Sequence, residues 1–288
     1  MPEPAPSLPH RPAPRPSLAE VFWAFLRLGL TAFGGPVMVA YIRRLAVDER
    51  GWLDEARYKR GVATAQSLPG ATAMQAAAYV GLVARGVPGG LAAYAGFVLP
   101  AFLMVLGLSA LYVQTRDLAL AQELFAGLQA VVVALILNAA IDFSRRFLPS
   151  AGHKAIALGA GVWFALRLNP IVAILASCAV GALALRSVRP DAGARSAGGG
   201  GWLPGVLRVA AACAAGLGLL ALFAPALFDL AWVMLKVDLF AFGGGYVSVP
   251  LMLHEVVDAH AWMDAGTFMD GVALGQLTPG PIVITACF

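Results

Sequence analysis

The chain of 288 residues is 60% apolar and 12% charged, with a mean hydropathy of +0.78 and a formal net charge of +4. Soluble domains carry about a quarter charged residues, so these values exclude a soluble fold and describe a polytopic membrane protein in a lipid bilayer. The basic residues cluster in loops between apolar runs, where they set orientation and do not point to nucleic acid.

Residues 1 to 16 hold seven prolines with Arg11 and Arg15. Such a stretch builds neither helix nor core, and a disordered tail is expected. A secretory signal is disfavoured, because the first apolar run contains Arg27 and meets Gly34-Gly35-Pro36, not a small-residue cleavage site. Ser17 and Glu20 form an S-x-x-E capping box that starts a helix over 18–33. The apolar pattern resumes from Val37 to about Leu45. Run straight, residues 18–45 would measure about 42 Å against a hydrocarbon layer of about 30 Å, so a folded-back hairpin is expected. The next pair, an amphipathic helix over 54–67 and an apolar one over 70–84, is split at Pro69 and reads the same way. Apolar segments follow over about 91–112, 120–141, 153–168 and 170–186, the last two joined by the turn signal Asn169-Pro170. Residues 187–202 form a Gly- and Arg-rich linker, and a helix over about 203–222 follows. Cys178, Cys213 and Cys287 stand alone in apolar stretches without pairing or metal-ligand spacing, and buried free thiols are expected.

The chain then repeats itself. With a shift of 209 positions, Leu26, Leu30, Ala32, Phe33, Gly34 and Gly35 meet Leu235, Leu239, Ala241, Phe242, Gly243 and Gly244, and Arg27 meets Lys236. A one-residue slip raises the shift to 210, and Asp48, Trp52, Asp54, Gly61, Gln66, Pro69 and Gly70 meet Asp258, Trp262, Asp264, Gly271, Gln276, Pro279 and Gly280. Paired hydrophobic segments broken by Gly or Pro are the best sequence pointer to the binding site of a secondary transporter. The first-copy loop over 43–60 holds six Lys or Arg, whereas its counterpart over 252–270 holds none and carries Glu255, Asp258, Asp264 and Asp270. The positive-inside rule then expects the two copies to face opposite ways. The fold class expected is an all-α polytopic membrane protein, an inverted-repeat transporter with broken, re-entrant helical hairpins. Its divisions are the tail, a first transmembrane domain over 17–186, the linker over 187–202, and a connecting helix with an incomplete second domain over 203–288. After Pro279-Gly280 only eight residues remain, where the first copy continues for about 115, so the chain reads as truncated.

Arg27 and Lys236 lie at matching places inside apolar helices, and an intramembrane cation is a functional-site hypothesis by default. A cation pair related by pseudo-symmetry suits an anion. The breaks supply N–H groups and positive helix-dipole ends, and glycine lets a ligand approach the backbone. A tetrahedral oxyanion is therefore expected near Gly34, Gly35, Pro69 and Gly70 and their partners Gly243, Gly244, Pro279 and Gly280. Gln66 and Gln276 either donate to it or cap the broken helices. Asp238 replaces Gly29 and sits two residues from Lys236; it either carries a coupling proton or, as the preferred reading, neutralises the lysine. Trp52 and Trp262 read as interfacial anchors. His254, Glu255, Asp258 and His260 resemble metal-ligand spacing but lack the H-E-x-x-H pattern, and a solvated loop is expected. No catalytic constellation, Walker A motif or dinucleotide fingerprint appears, and neither a cofactor nor a resident metal is expected.

The segment from Phe25 to Tyr112, with FLRLGLTAFGGP, GWLDEARYKRGVATAQSLPG and GFVLPAFLMVLG, resembles the first domain of the chromate ion transporter family. Residues 234–288, with AFGGG and GVALGQLTPGP, resemble the start of its second domain. The resemblance implies a multi-pass exporter in the bacterial inner membrane. Its substrate would be chromate, a tetrahedral dianion isosteric with sulfate, and it would confer resistance by efflux driven by the membrane potential or proton gradient. The family signatures fall on Phe33, Gly34, Gly35, Pro36, Gln66, Pro69 and Gly70, and on Phe242, Gly243, Gly244, Gln276, Pro279, Gly280 and Pro281. The chain departs from them with Ala71 in place of the second proline of PGP, and with Gly245 where the first copy has Pro36. Transport of sulfate or another oxyanion, and a non-transporting truncated membrane protein, stay open; a homodimer is allowed by the residues but not read from them.

Overall fold

The computed structural model of the chain describes residues 15–33, 37–166, 168–184, 203–242 and 245–288. Most of the expected tail, the linker, and Gly34, Gly35, Pro36, Gly243 and Gly244 lie outside them. Every regular element among the described residues is helical, as expected of an all-α membrane protein. Among the described residues three helices are long and apolar enough to cross a membrane: Thr72–Thr115, Ala119–Arg145 and Pro204–Phe223.

Helix α1 (Leu18–Thr31) begins where the capping box places it, with the Ser17 hydroxyl accepting the Glu20 N–H at 3.1 Å. It ends earlier than expected, because Ala32 already has extended backbone. Helix α2 (Val37–Arg43) continues into a π-helical turn, Arg44–Glu49, which the apolar pattern does not reveal. Asp54 caps α3 (Glu55–Ser67) by accepting the Arg57 N–H at 2.7 Å. Helix α4 (Thr72–Thr115) folds back on itself at Arg85 and Gly86, where Gly86 takes φ 71°. Its arms, 72–84 and 87–115, approach so closely that a Cβ on Gly81 would meet the Gly89 carbonyl. The second arm packs on α1, with the rings of Phe25 and Phe97 at 6.4 Å.

Helices α5 (Ala119–Phe147), α6 (Ala151–Ala165) and α7 (Pro170–Ala184) follow. At the α6–α7 turn the Trp163 indole donates to the Asn169 carbonyl, and the Asn169 side-chain oxygen accepts the Ile171 N–H. At 15 residues each, α6 and α7 reach only about 22 Å, short of the hydrocarbon layer. Helices α8 (Leu203–Phe223) and α9 (Pro225–Phe240) lead to α10 (Gly245–Leu253), a second π-helical turn His254–Ala259, α11 (Ala265–Leu277) and a 3₁₀ turn Ile282–Cys287.

The sequence repeat is a structural repeat. Both copies place a π-helical turn at the same position. Trp52 N–H bonds the Ala46 carbonyl at 2.8 Å, and Trp262 N–H bonds the Val256 carbonyl at 2.9 Å. Asp54 and Asp264 cap the helices that follow. The copies are also interlocked. Ile284 of the second copy sits in the apolar core built by α1, α2 and α4, while Val132 of α5 sits in the core built by α9, α10 and α11.

Two local expectations are corrected. Cys178 and Cys213 are exposed on α7 and α8 and Cys287 is half-buried, because surfaces turned to lipid accept a thiol as readily as a core does. Trp52 packs against Phe25 at 6.4 Å as part of the first core, and only Trp262, 42% exposed, has an anchor's exposure.

Candidate functional site

The breaks of the two copies meet. The Gly70 N–H donates to the Ala241 carbonyl at 2.9 Å, and the Gly280 N–H donates to the Ala32 carbonyl at 3.0 Å. The two bonds are images of one another under the sequence repeat, so each Pro-Gly break is tied to the residue two places before the other copy's Gly-Gly pair. Gly70 and Gly280 take φ of +109° and +122°, a conformation that residues with a Cβ rarely adopt. Close approach adds a second demand at Gly280, where a Cβ would run into the Ala101 side chain.

These bonds use two of the N–H groups that sequence reading offers to an anion. The donors left near the breaks are the first-turn N–H groups of α4 and α10, which no helix can pair internally. Gln276, half-buried on α11, adds another: its buried Nε2 makes no hydrogen bond of good geometry and has the Tyr246 hydroxyl as its neighbour. A buried amide donor left unpaired costs about 1–3 kcal/mol, a cost that a bound anion would remove. Gln66 is exposed, and the side chain that holds the first Pro-Gly break is Gln75, whose Nε2 donates to the Pro69 carbonyl. Pro69 is half-buried and Pro279 buried.

The two cations are not equivalent. Arg27 is exposed on the face of α1 that carries Trp23 and Leu30, away from buried Val21, Ala24 and Phe25, and pairs with no acid among the described residues. Lys236 forms an ion pair with Glu255, whose side chain is only 5% exposed. The His260 Nδ1 lies 4.0 Å from the same carboxylate and 2.8 Å from the Glu255 carbonyl. This corrects the preferred reading of Asp238 as the neutralising group. Residues two apart on a helix do not face each other, and Asp238 is exposed while the acid comes from the π-helical turn. The expected solvated loop is corrected by the same contact, since Glu255 is buried. No cluster of three metal-ligating side chains occurs among the described residues. In the first copy Leu45 occupies the place of Glu255 and is buried in apolar contacts.

Unpaired donors, glycine backbone at the crossing of the breaks, and Arg27 without an acid partner on the exposed face of α1 are groups of the kind an oxyanion needs. Comparison with known proteins gives the class. The family model described as Chromate transporter matches residues 19–182 and 228–288. The chain belongs to the chromate transporter family. The chain is also 33% identical over 289 residues to the chromate transport protein of Cupriavidus metallidurans, covering 96% of this chain and 68% of that one. It is 32% identical to the chromate transport protein of Pseudomonas aeruginosa, covering 96% and 66%. An uncharacterized transporter of Methanocaldococcus jannaschii is 42% identical, covering 95% of this chain and 69% of its own length. The chain thus spans about two thirds of the length of these relatives. No solved structure matches it.

Within this chromate transporter family member, sequence reasoning missed Glu255 and Gln75. A signal for Glu255 existed: it is an acid in an apolar stretch at a position where the other copy has leucine. Gln75 carried none, because a glutamine inside an apolar helix does not announce that it folds back onto a carbonyl six residues earlier.

Proposed function

We propose that the chain is the greater part of a secondary transporter that moves chromate, or an isosteric oxyanion, out of the cell across the bacterial inner membrane and so confers resistance. The anion is held where the four breaks meet, by the first-turn N–H groups of α4 and α10 and by the Gln276 amide, with Arg27 supplying the uncompensated charge. The single observation that carries the reading is the reciprocal pair of bonds, Gly70 to Ala241 and Gly280 to Ala32. A crossing of this kind supports two copies related by a two-fold axis. The opposite charge of their loops, six Lys or Arg over 43–60 and none over 252–270, supports placing that axis in the membrane plane, with the first-copy loop cytoplasmic. Discontinuous helices ending at mid-membrane are tolerated only where the backbone is buried in protein or lines a cavity, and here they bond across the repeat.

The test is chromate uptake into everted membrane vesicles, with this chain beside a version extended by a complete second domain. Chromate accumulation that unlabelled sulfate does not displace at equal concentration supports the reading. Displacement assigns sulfate as the preferred dianion, and absence of flux in both forms refutes the transport reading.

A further inference from the structure

Between α3 and the first arm of α4 the first copy holds a cavity of about 190 Å³, bordered by Arg60, Thr64, Leu68, Gln75 and Tyr79. A water molecule takes up about 30 Å³, so the space admits a small tetrahedral ion with part of its hydration shell. The Tyr79 ring lies against α3 where that helix has glycine, since a Cβ on Gly61 would run into the ring. Arg60, Thr64 and Leu68 follow one another at four-residue spacing along one face of α3. They run from the basic stretch over 43–60 to the break at Pro69. Gln75 serves both places: it borders the cavity, and its Nε2 donates to the Pro69 carbonyl.

The hydroxyl hydrogens around the cavity are already committed. A backbone carbonyl can only accept, so Thr64 gives its one hydroxyl hydrogen to the Arg60 carbonyl at 3.0 Å, and Tyr79 gives its own to the Arg57 carbonyl at 3.3 Å. What these two side chains still offer a ligand is lone pairs. The orphaned atom of Gln75 is an acceptor as well, for its Oε1 is buried without a partner. The charge comes from Arg60, whose guanidinium pairs with no acid among the described residues, and no acid borders the cavity. Arg60 repels a metal ion, and a fully ionised oxyanion turns an oxygen to every lone pair. The set suits an oxyanion that keeps a hydroxyl, with ionised oxygens on the guanidinium in charge-assisted bonds and an O–H for an acceptor. The repeat does not demand these residues. The second copy has Asp270, Leu274 and Thr278 at the places of Arg60, Thr64 and Leu68, and Asp270 is engaged by the Tyr112 hydroxyl at 2.8 Å and the Gln129 Nε2 at 2.7 Å.

We propose that this cavity is an outer binding site for a tetrahedral oxyanion that keeps a hydroxyl. Arg60 holds its ionised oxygens, and its O–H donates to the lone pairs of Thr64, Tyr79 or Gln75. Under the transport reading, on which the choice of substrate rests, the ligand is hydrogen chromate. Chromate takes up a proton near neutral pH and sulfate does not, so the site separates two dianions that shape and charge leave alike. In a chain with Cys178, Cys213 and Cys287 replaced by Ser, a cysteine is placed at Leu68, which borders the cavity and is 51% exposed. Its alkylation by a neutral maleimide is followed in detergent at pH 8 and normalised to a cysteine at Leu120, which is 78% exposed. The probes are hydrogen phosphate and sulfate, both tetrahedral dianions at that pH, of which only the phosphate carries an O–H. Hydrogen phosphate slows the reaction about fivefold at about four times its dissociation constant, as 1 + [L]/Kd requires; sulfate at the same concentration leaves the rate unchanged. In Arg60→Gln the protection by hydrogen phosphate is lost. Equal protection by sulfate overturns the hydroxyl requirement, protection by neither anion overturns the site, and undiminished protection in Arg60→Gln overturns the role of the arginine. Slower alkylation in phosphatidylglycerol than in phosphatidylcholine vesicles, with no anion added, assigns the cavity to a lipid headgroup and overturns the proposal. In everted vesicles the half-saturating chromate concentration falls from pH 8 to pH 6 in step with the share of hydrogen chromate; a value that ignores pH overturns hydrogen chromate as the ligand. Protection by hydrogen phosphate beside no chromate flux in the parent supports the cavity as a site and refutes the chromate reading.

Discussion

Replacing Gly280 by alanine tests whether the two breaks are built as one crossing. Three terms are lost or added at that residue. The backbone sits at φ +122°, and holding a residue with a Cβ there costs about 1–3 kcal/mol. The new Cβ collides with that of Ala101, which is 1% exposed and cannot swing aside; overpacking of this kind costs about 1–3 kcal/mol. If the chain shifts to relieve either, the N–H loses its 3.0 Å bond to Ala32, about 1 kcal/mol more. The equivalent change Gly70→Ala has the same backbone cost at φ +109°, but its Cβ meets only the end of Gln75 at 3.0 Å. Gly280→Ala should therefore destabilise the detergent-solubilised protein by about 2–6 kcal/mol and Gly70→Ala by about 1–3 kcal/mol. The decisive variant adds Ala101→Gly to Gly280→Ala. Alone, Ala101→Gly costs about 1 kcal/mol as a helix glycine; in the Gly280→Ala background it removes the collision, and the double-mutant cycle should show a coupling of about 1–3 kcal/mol. Unfolding in graded denaturant, followed by tryptophan fluorescence, gives the four values. Additive effects, with coupling under about 0.5 kcal/mol, would refute the contact between the 280 break and α4.

The remaining predictions concern charge. Glu255→Leu, which installs the first copy's solution at that position, strands Lys236 and should cost about 3 kcal/mol, the low end for a broken buried pair because the lysine side chain is 33% exposed; Lys236→Met in the same chain should recover most of it in the same denaturant assay. Arg27→Gln should weaken chromate flux about 10- to 100-fold through loss of one charged contact without lowering membrane insertion. Lys236→Gln should do likewise and be partly rescued by Glu255→Gln, and wild-type flux in Arg27→Gln would remove the arginine from the site. A cysteine at Asp258 should react with an impermeant thiol reagent from outside intact cells and one at Arg50 should not; labelling of both from one side would refute opposed copies. At low pH, the Asp264 carboxyl is held below its ordinary range by the Thr267 backbone N–H and then by the Thr267 hydroxyl. A depressed folded value means the contribution is present above the unfolded value of about 3.9 and is lost as pH falls through the folded one. The melting-temperature difference between wild type and Asp264→Ala should therefore be constant from pH 7 to pH 5 and shrink below about pH 4.

Much of the architecture was legible because the elements that carry it are backbone devices with residue signatures. Ser17, Asp54 and Asp264 announce helix starts, and Gly70 and Gly280 announce breaks that only glycine fits without strain. The repeat made each signature count twice, so that a meeting of the two copies at their Pro-Gly breaks could be expected from the sequence. What stayed hidden depends on side chains from distant segments. The π-helical turns, Arg44–Glu49 and His254–Ala259, have ordinary helical composition, and nothing local distinguishes them. The partner of Lys236 was sought two residues away at Asp238, whereas the chain folds Glu255 onto it from 19 residues on. Tyr112, Gln129 and Asp270 join three elements over as many as 158 residues, beyond the reach of any spacing argument.

The two copies agree in backbone and disagree in charge, and the disagreement bears on mechanism. If the site were symmetric in charge, Arg27 and Lys236 would both face a dianion, and two like charges would approach each other whenever it left. At the proposed site Glu255 would remove that difficulty on one side: with Lys236 paired, the empty site would carry one net positive charge from Arg27. On that proposal a divalent oxyanion would bind with one negative charge in excess, which the first-turn N–H groups of α4 and α10 and the Gln276 amide would share without being charged themselves. Binding mostly through dipoles keeps the site from holding its substrate too tightly, since a bare pair of cations in a low-dielectric setting would attract a dianion far more strongly. The same asymmetry would separate the copies at the proposed site: the first brings Arg27, and the second holds its lysine in an ion pair with Glu255.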